Sequence, residues 1–333
     1  MAASSGVVVA VVAVVAVTMA VAVAAGEISD DGGDQPSPSP SPSASCARRP
    51  VVFAFGDSNT DTGGIAAGMG YYFPLPEGRA FFRRATGRLC DGRLVIDHLC
   101  ESLNMSYLSP YLEPLGTDFT NGANFAISGA ATAPRNAAFS LHIQVQQFIH
   151  FKQRSLELAS RGEAVPSLYY NGAKNLWIHG TGPLGCLPQK LAVPRADDGD
   201  LDPSGCLKTL NAGAYEFNSQ LSSICDQLSS QLRGATIVFT DILAIKYDLI
   251  ANHSSYGFEE PLMACCGHGG PPYNYDFNVS CLGAGYRVCE DGSKFVSWDG
   301  VHYTDAANAV VAGKILSADY SRPKLPFSYF CSA

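Results

Sequence analysis

The chain has 333 residues, of which 47% are hydrophobic and 16% charged, with a formal net charge of −8. That is enough apolar material for a sizeable core. An acidic balance with no block of Lys or Arg argues against a nucleic-acid partner.

From Gly6 to Ala25 no residue is charged, and Val and Ala dominate. With small residues at Val23-Ala24-Ala25 before Gly26, residues 1–25 read as a signal peptide, or as a signal anchor of about 20 apolar residues. Residues 26–45 contain "DQPSPSPSPSAS", a Ser/Pro-rich linker that is extended and unable to bury a core. The expected folded domain is therefore 46–333. A cleaved leader implies secretion to the extracellular space or the cell wall. An uncleaved anchor implies a Golgi or other secretory-pathway membrane.

Strand-like runs ending in turn residues are predicted at Val51–Gly56, Asn124–Ser128, Asn175–Gly180 and Thr236–Asp241. Helical spacing of apolar residues is predicted over 144–161, 210–232 and 305–320, the last capped by Thr304. Strands alternating with helices imply an α/β fold around a parallel sheet. Sites in such sheets form beyond the carboxyl ends of the strands. The turns after Phe55 and His179 and the loop after Phe239 therefore share one rim.

All eleven cysteines follow the linker, and in a secreted chain they imply disulfides. Cys265, Cys266, Cys281 and Cys289 cluster in a Gly/Pro-rich loop, where staples are expected. His268 beside them raises zinc as the alternative. Asn104, Asn252 and Asn278 are Asn-x-Ser glycosylation acceptors.

In "FAFGDSNTDTGG" a buried strand runs into Gly56-Asp57-Ser58. A serine there, with a helix expected to start beside it, would hold its hydroxyl at the rim and its N–H where it can stabilise an oxyanion. The alternative is a helix cap without chemistry. "SWDGVHYTDAA" supplies Asp299 and His302 three residues apart, a spacing that lets a carboxylate orient an imidazole. "GTGPLG" at 180–185 matches a dinucleotide-binding pattern, but Pro183, Cys186 and Pro188 stand where the phosphate-binding helix would open. No G-x-S-x-G occurs, so a nucleophile elbow is not supported.

These motifs resemble the plant-type branch of the GDSL esterase/lipase family, also called SGNH hydrolases. The resemblance continues through "GRLCDGRLVIDHLCESL", "NGANFAISGAAT", "NGAKNLWIHGTGPLGCLP", "CCGHGGPPYN" and "WDGVHYTDAAN", in family order. It implies a flavodoxin-like three-layer α/β/α sandwich and ester hydrolysis with no metal or other cofactor. Ser58 matches the family's nucleophile, and Asp299 and His302 its charge-relay pair. Gly122 is the nearest match to its oxyanion glycine, with Gly129 close by. The family's Gly-x-Asn-Asp block, a strand and a crossover helix, is missing, and the join falls near 165–168. That block carries a third oxyanion donor. Its strand is central, so its neighbours must pair directly or leave a gap. The expected substrate is an acyl lipid or O-acetyl polysaccharide ester. The alternative is a shortened form, impaired or misfolded, that acts at most as a binding protein.

Overall fold

The computed structural model describes residues 8–13, 50–131, 138–161, 174–327 and 329–332. Its main sheet draws on strands β1 (Val8–Ala13), β2 (Val51–Gly56), β3 (Gly122–Asn124), β4 (Asn175–His179), β5 (Thr236–Thr240) and β10 (Ser321–Arg322). Their order is β10-β5-β4-β1-β2-β3. All neighbours run parallel except the short edge strand β10, which lies antiparallel on β5.

Strand β2 forms because Val51-Val52-Phe53-Ala54-Phe55 is β-branched and aromatic, and every one of these residues is buried. Phe53 and Phe55 are two apart and so share a face. There they meet Phe148, at ring-centroid distances of 4.9 and 5.8 Å. Phe148 belongs to α3 (Leu141–Ser160). Helix α5 (Lys208–Gln231) buries Leu221 and Cys225 against Ile178 of β4 and Ile237 of β5. Helices α2 (Val95–Ser102), α6 (Ile242–Ala251) and α7 (Asp305–Leu316) contribute Leu99, Ile245, Leu249, Val311 and Ile315 to the main core. The result is an α/β sandwich on a parallel sheet.

The predicted elements recur with small shifts. The strand expected at Asn124–Ser128 is regular only over Gly122–Asn124. Its continuation still bonds to β2, through Phe125 N–H to Ala54 O (2.8 Å) and Ile127 N–H to Gly56 O (3.1 Å). Thr304 caps α7 as expected, accepting from Ala307 N–H at 3.2 Å. Among the described residues three disulfides join Cys186 to Cys206, Cys265 to Cys289 and Cys266 to Cys281. The four clustered cysteines are thus paired with one another, which leaves His268 no thiolate with which to share a metal. Cys90, Cys100 and Cys225 are buried free thiols. Among the described residues no helix is long and apolar enough to cross a membrane.

Residues 1–45 were expected to lie outside the fold, yet β1 sits inside the sheet, between β2 and β4. Strands β2 and β4 therefore do not pair with each other, and β1 pairs with both. The join itself, near 165–168, lies outside the described residues, as do the linker and most of the leader.

Candidate active site

Gly56 ends β2, and the chain turns at Asp57. Thr60 and Asp61 both donate their N–H groups to Asp57 O at 3.0 Å, closing a single turn that holds Ser58 at the carboxyl end of the sheet. No helix starts at Ser58, contrary to expectation. The next helix, α1 (Gly64–Met69), begins six residues later. The reason is Asp61. Its carboxylate accepts from Gly63 N–H (2.8 Å), Gly64 N–H and Ile65 N–H (3.0 Å), and takes over the start of that helix. The same carboxylate accepts from Ser128 N–H at 2.7 Å. Buried Asn124 completes the brace: its Nδ2 donates to Thr60 O (2.6 Å) and Thr62 Oγ1 (3.0 Å). The serine turn is therefore fixed to the segment after β3 by two buried side chains.

His302 lies on the tight loop between β9 (Phe295–Ser297) and α7. Gly300 makes the loop possible: its φ is +95°, and a Cβ there would stand 2.3 Å from the Tyr275 ring. Asp299 accepts three bonds, from His302 Nδ1 (2.5 Å), His302 N–H (2.8 Å) and Val301 N–H (2.9 Å). Burial works against a charged imidazole, yet the adjacent Asp299 carboxylate lifts the His302 pKa above its ordinary 6.5. Burial also works to raise Asp299, but His302 and the two backbone donors hold it below its ordinary value. His302 Nε2 is buried without a hydrogen-bond partner among the described residues, Ser58 included.

The two motifs meet at this rim. Asp57, next to Ser58, is close enough to act on His302 electrostatically. Desolvation raises the Asp57 pKa to about 6, against the bonds it accepts from Asn59.

Gly122 is not brought here. It pairs with Val52 at the opposite end of β2, about 13 Å from Gly56 at roughly 3.3 Å per residue. Its N–H donates to Phe119 O at 3.0 Å, and its φ of +110° places the α-carbon against Val52 O. That glycine serves close strand contact. Gly129, the neighbouring alternative, does reach the rim. It follows Ser128, which Asp61 holds, and Ile127, which bonds to Gly56. A Cβ on Gly129 would meet nothing within 4 Å, so the space above it is open.

Several groups around the site have no counterpart among the expected residues. Lys246 of α6 is 3% exposed, with Nζ 3.7 Å from the centroid of the Tyr303 ring, and burial lowers its pKa to about 8. Its signal was one Lys in the apolar run "ILAIKYDLIA". His179, at the end of β4, is held neutral by burial, with its pKa lowered to about 3. Behind the His302 loop, Trp298 Nε1 donates to Glu77 Oε2 at 3.0 Å. Cys265 and Cys266 donate their N–H groups to Ser297 O and Trp298 O, at 3.0 and 2.6 Å. The stapled cysteine loop thus supports the His302 loop from outside.

Comparison with known proteins places this fold among the carboxylic ester hydrolases. The family model described as GDSL-like lipase/acylhydrolase matches residues 52–170 and 157–315. Three similar proteins, all from Arabidopsis thaliana, are the GDSL esterase/lipases LIP-4, At1g09390 and At3g62280. LIP-4 is 51% identical over 340 residues, covering 86% of this chain and 91% of its own length. At1g09390 is 49% identical, covering 86% and 91%. At3g62280 is 44% identical, covering 83% and 89%. The chain belongs to the GDSL-like lipase/acylhydrolase family.

Proposed function

We propose that the protein hydrolyses esters through Ser58, His302 and Asp299. The observation that carries this reading is His302. Its Nδ1 is fixed by Asp299, and its buried Nε2 is left without a partner beside the turn that holds Ser58. Nε2 takes the proton as Ser58 Oγ attacks the ester carbonyl and gives it to the leaving alcohol, which leaves the acyl group on Ser58; a water then gives its proton to Nε2 as it attacks that acyl carbonyl, and the proton returns to Ser58 Oγ as the acid leaves. Asp299 holds the tautomer and stabilises the imidazolium. The Ser58 and Gly129 N–H groups receive the oxyanion, Gly129 taking the role first expected of Gly122. The final approach of Ser58 Oγ to Nε2 comes with substrate, since such bonds tighten in the Michaelis complex.

The substrate is an acyl lipid or an O-acetylated polysaccharide, and one observation favours the second. A cleft of about 530 Å³ sets Arg195, Asp197, Asp198, Asn274 and two tyrosines, Tyr273 and Tyr275, among apolar residues such as Leu191 and Val193. Gln189 ties it to the catalytic loop, donating its N–H to Gly300 O (3.1 Å) and its Nε2 to Tyr275 Oη (3.1 Å). Charged, amide and phenol groups in one cleft suit hydroxyl-rich chains better than acyl tails. The three disulfides support a secretory route. Asn104, Asn252 and Asn278 are all exposed, as glycan acceptors must be.

The test is labelling of the purified chain with a fluorophosphonate probe, together with hydrolysis of a p-nitrophenyl acetate. Labelling that is absent in Ser58→Ala, with the fold unchanged by circular dichroism, supports the mechanism. A well-folded wild-type chain that neither labels nor hydrolyses would leave only the binding-protein alternative.

A further inference from the structure

We propose that Lys246 is a positioning residue for the hydrolysis: its ammonium is the fixed counter-charge of Asp57, the residue before Ser58, and it balances that carboxylate where both act on His302. The proposal rests on the Ser–His–Asp reading given above. Lys246 belongs to α6 and is 3% exposed, so its cation is held out of bulk water. A buried cation is costly unless something answers its charge. Two groups do so here. The Tyr303 ring presents its face 3.7 Å from Nζ, and a desolvated cation gains most from such a face. Tyr303 follows His302 directly, so this contact fixes the ammonium beside the His302 loop. Asp57 supplies the opposite charge, through space rather than through a hydrogen bond.

The chain leaves room for this one side chain. Within "GTGPLG" at 180–185, a Cβ on Gly182 would stand 3.1 Å from Lys246 Cδ. That glycine therefore lets the lysine stem pass just beyond the end of β4. His179, the last residue of β4, feels the same ammonium, and burial together with that charge keeps it neutral. The groups around Lys246 are thus Asp57 after β2, His179 on β4, and His302 and Tyr303 before α7. Of these only Asp57 is anionic at neutral pH. Its Oδ1 accepts from Asn59 N–H (3.0 Å) and Asn59 Nδ2 (3.2 Å), which brackets Ser58. Left unbalanced, this carboxylate would hinder the reaction twice. It would favour the protonated imidazole, which cannot take the serine proton, and it would oppose the negative charge that the Ser58 N–H receives. Asp57 and Lys246 act on His302 with opposite sign. At pH 7 both are charged, since burial raises Asp57 only to about 6 and lowers Lys246 only to about 8. With the two charges offset, the imidazole answers to Asp299.

The test is an NMR titration of the His302 imidazole in the full chain, with the rising limb of kcat/KM for p-nitrophenyl acetate measured alongside. Lys246→Met keeps most of the stem's volume and removes the charge. It is expected to move the His302 midpoint and the limb to higher pH, by about half a pH unit or more. Asp57→Asn keeps an oxygen for Asn59 and is expected to move both to lower pH. The double variant is expected to return near the wild-type midpoint, because the two charges leave together. A lysine with a merely structural role would lower kcat or Tm without these opposite, cancelling shifts. An unmoved midpoint in Lys246→Met, or a double variant displaced as far as either single one, would overturn the proposal. Asp57→Asn provides a second check that does not depend on Lys246→Met folding: the Lys246 ammonium is expected to lose its proton at lower pH than in the wild type, and an unchanged Lys246 titration would also overturn the proposal. Because the titrations need no turnover, failure here is distinguishable from a loss of Ser58 labelling, which would count against the hydrolase reading.

Discussion

Glu77→Gln is expected to stabilise the protein at neutral pH and to do nothing in acid. Glu77 is 2% exposed, and its Oε2 accepts from Trp298 Nε1. Burial, reinforced by the charge on Asp299, pushes its pKa from 4.5 up to about 9 despite that hydrogen bond. At pH 7 the folded chain therefore holds a proton that the unfolded chain has released. A carboxyl raised in this way contributes its full stability below pH 4.5, and the contribution is lost progressively as pH climbs toward 9. From 4.5 to 7, at about 1.4 kcal/mol per unit, the loss is about 3 kcal/mol. Gln keeps an oxygen for Trp298 and has no proton to take up, so its stability carries no such slope. Urea unfolding of both proteins is expected to give equal free energies near pH 4 and a gain of about 3 kcal/mol for Gln at pH 7. A pH-independent difference, or a less stable Gln variant at pH 7, would refute the assignment of a neutral acid behind the His302 loop.

Asp299→Asn removes the group that raises the His302 pKa. The limb of kcat/KM that rises with pH as the imidazole loses its proton is expected to move to lower pH, and kcat to fall by about 10⁴; a pH–rate profile of ester hydrolysis reads both. Gly122→Ala is expected to abolish folding, since its Cβ would stand 1.8 Å from Val52 O at a φ of +110°, whereas Gly129→Ala folds with a modest loss of Tm. Thermal melts separate the two, and a normal Gly122→Ala melt would contradict the strand contact. Asp97→Ala leaves the buried Arg88 guanidinium without its partners at 2.7 and 2.8 Å, at a cost of about 3–5 kcal/mol by chemical denaturation.

What the sequence revealed, and what it hid, follows from the range of the interactions involved. Strand β2 was legible because an apolar run stops at a glycine, and α7 because Thr304 stands before helical spacing. Both signals are local. The choice between Gly122 and Gly129 was not, because it depends on Gly122 starting the three-residue strand and Gly129 lying beyond its end, and only the register with Val52 decides that. The turn at Ser58 was misread as a helix start because Asp61, four residues after Asp57, captures the N–H groups the helix would have organised. Lys246 stood out in its apolar helix, but nothing local says that this helix packs beside His302. The Val/Ala run at the N-terminus fitted a leader by hydrophobicity. Its β-branched content, which also fits a strand, was present in the same letters.

The position of β1 also sets an order of events during synthesis. Residues 8–13 leave the ribosome before their partners, one of which, Ile178, lies well over a hundred positions further on. A Val-rich segment must therefore wait, unpaired and apolar, while its second neighbour is still being made. Such non-local pairing is slow to close and exposed to off-pathway association. Nascent chains should be most dependent on holding factors in the interval between emergence of β1 and completion of β4.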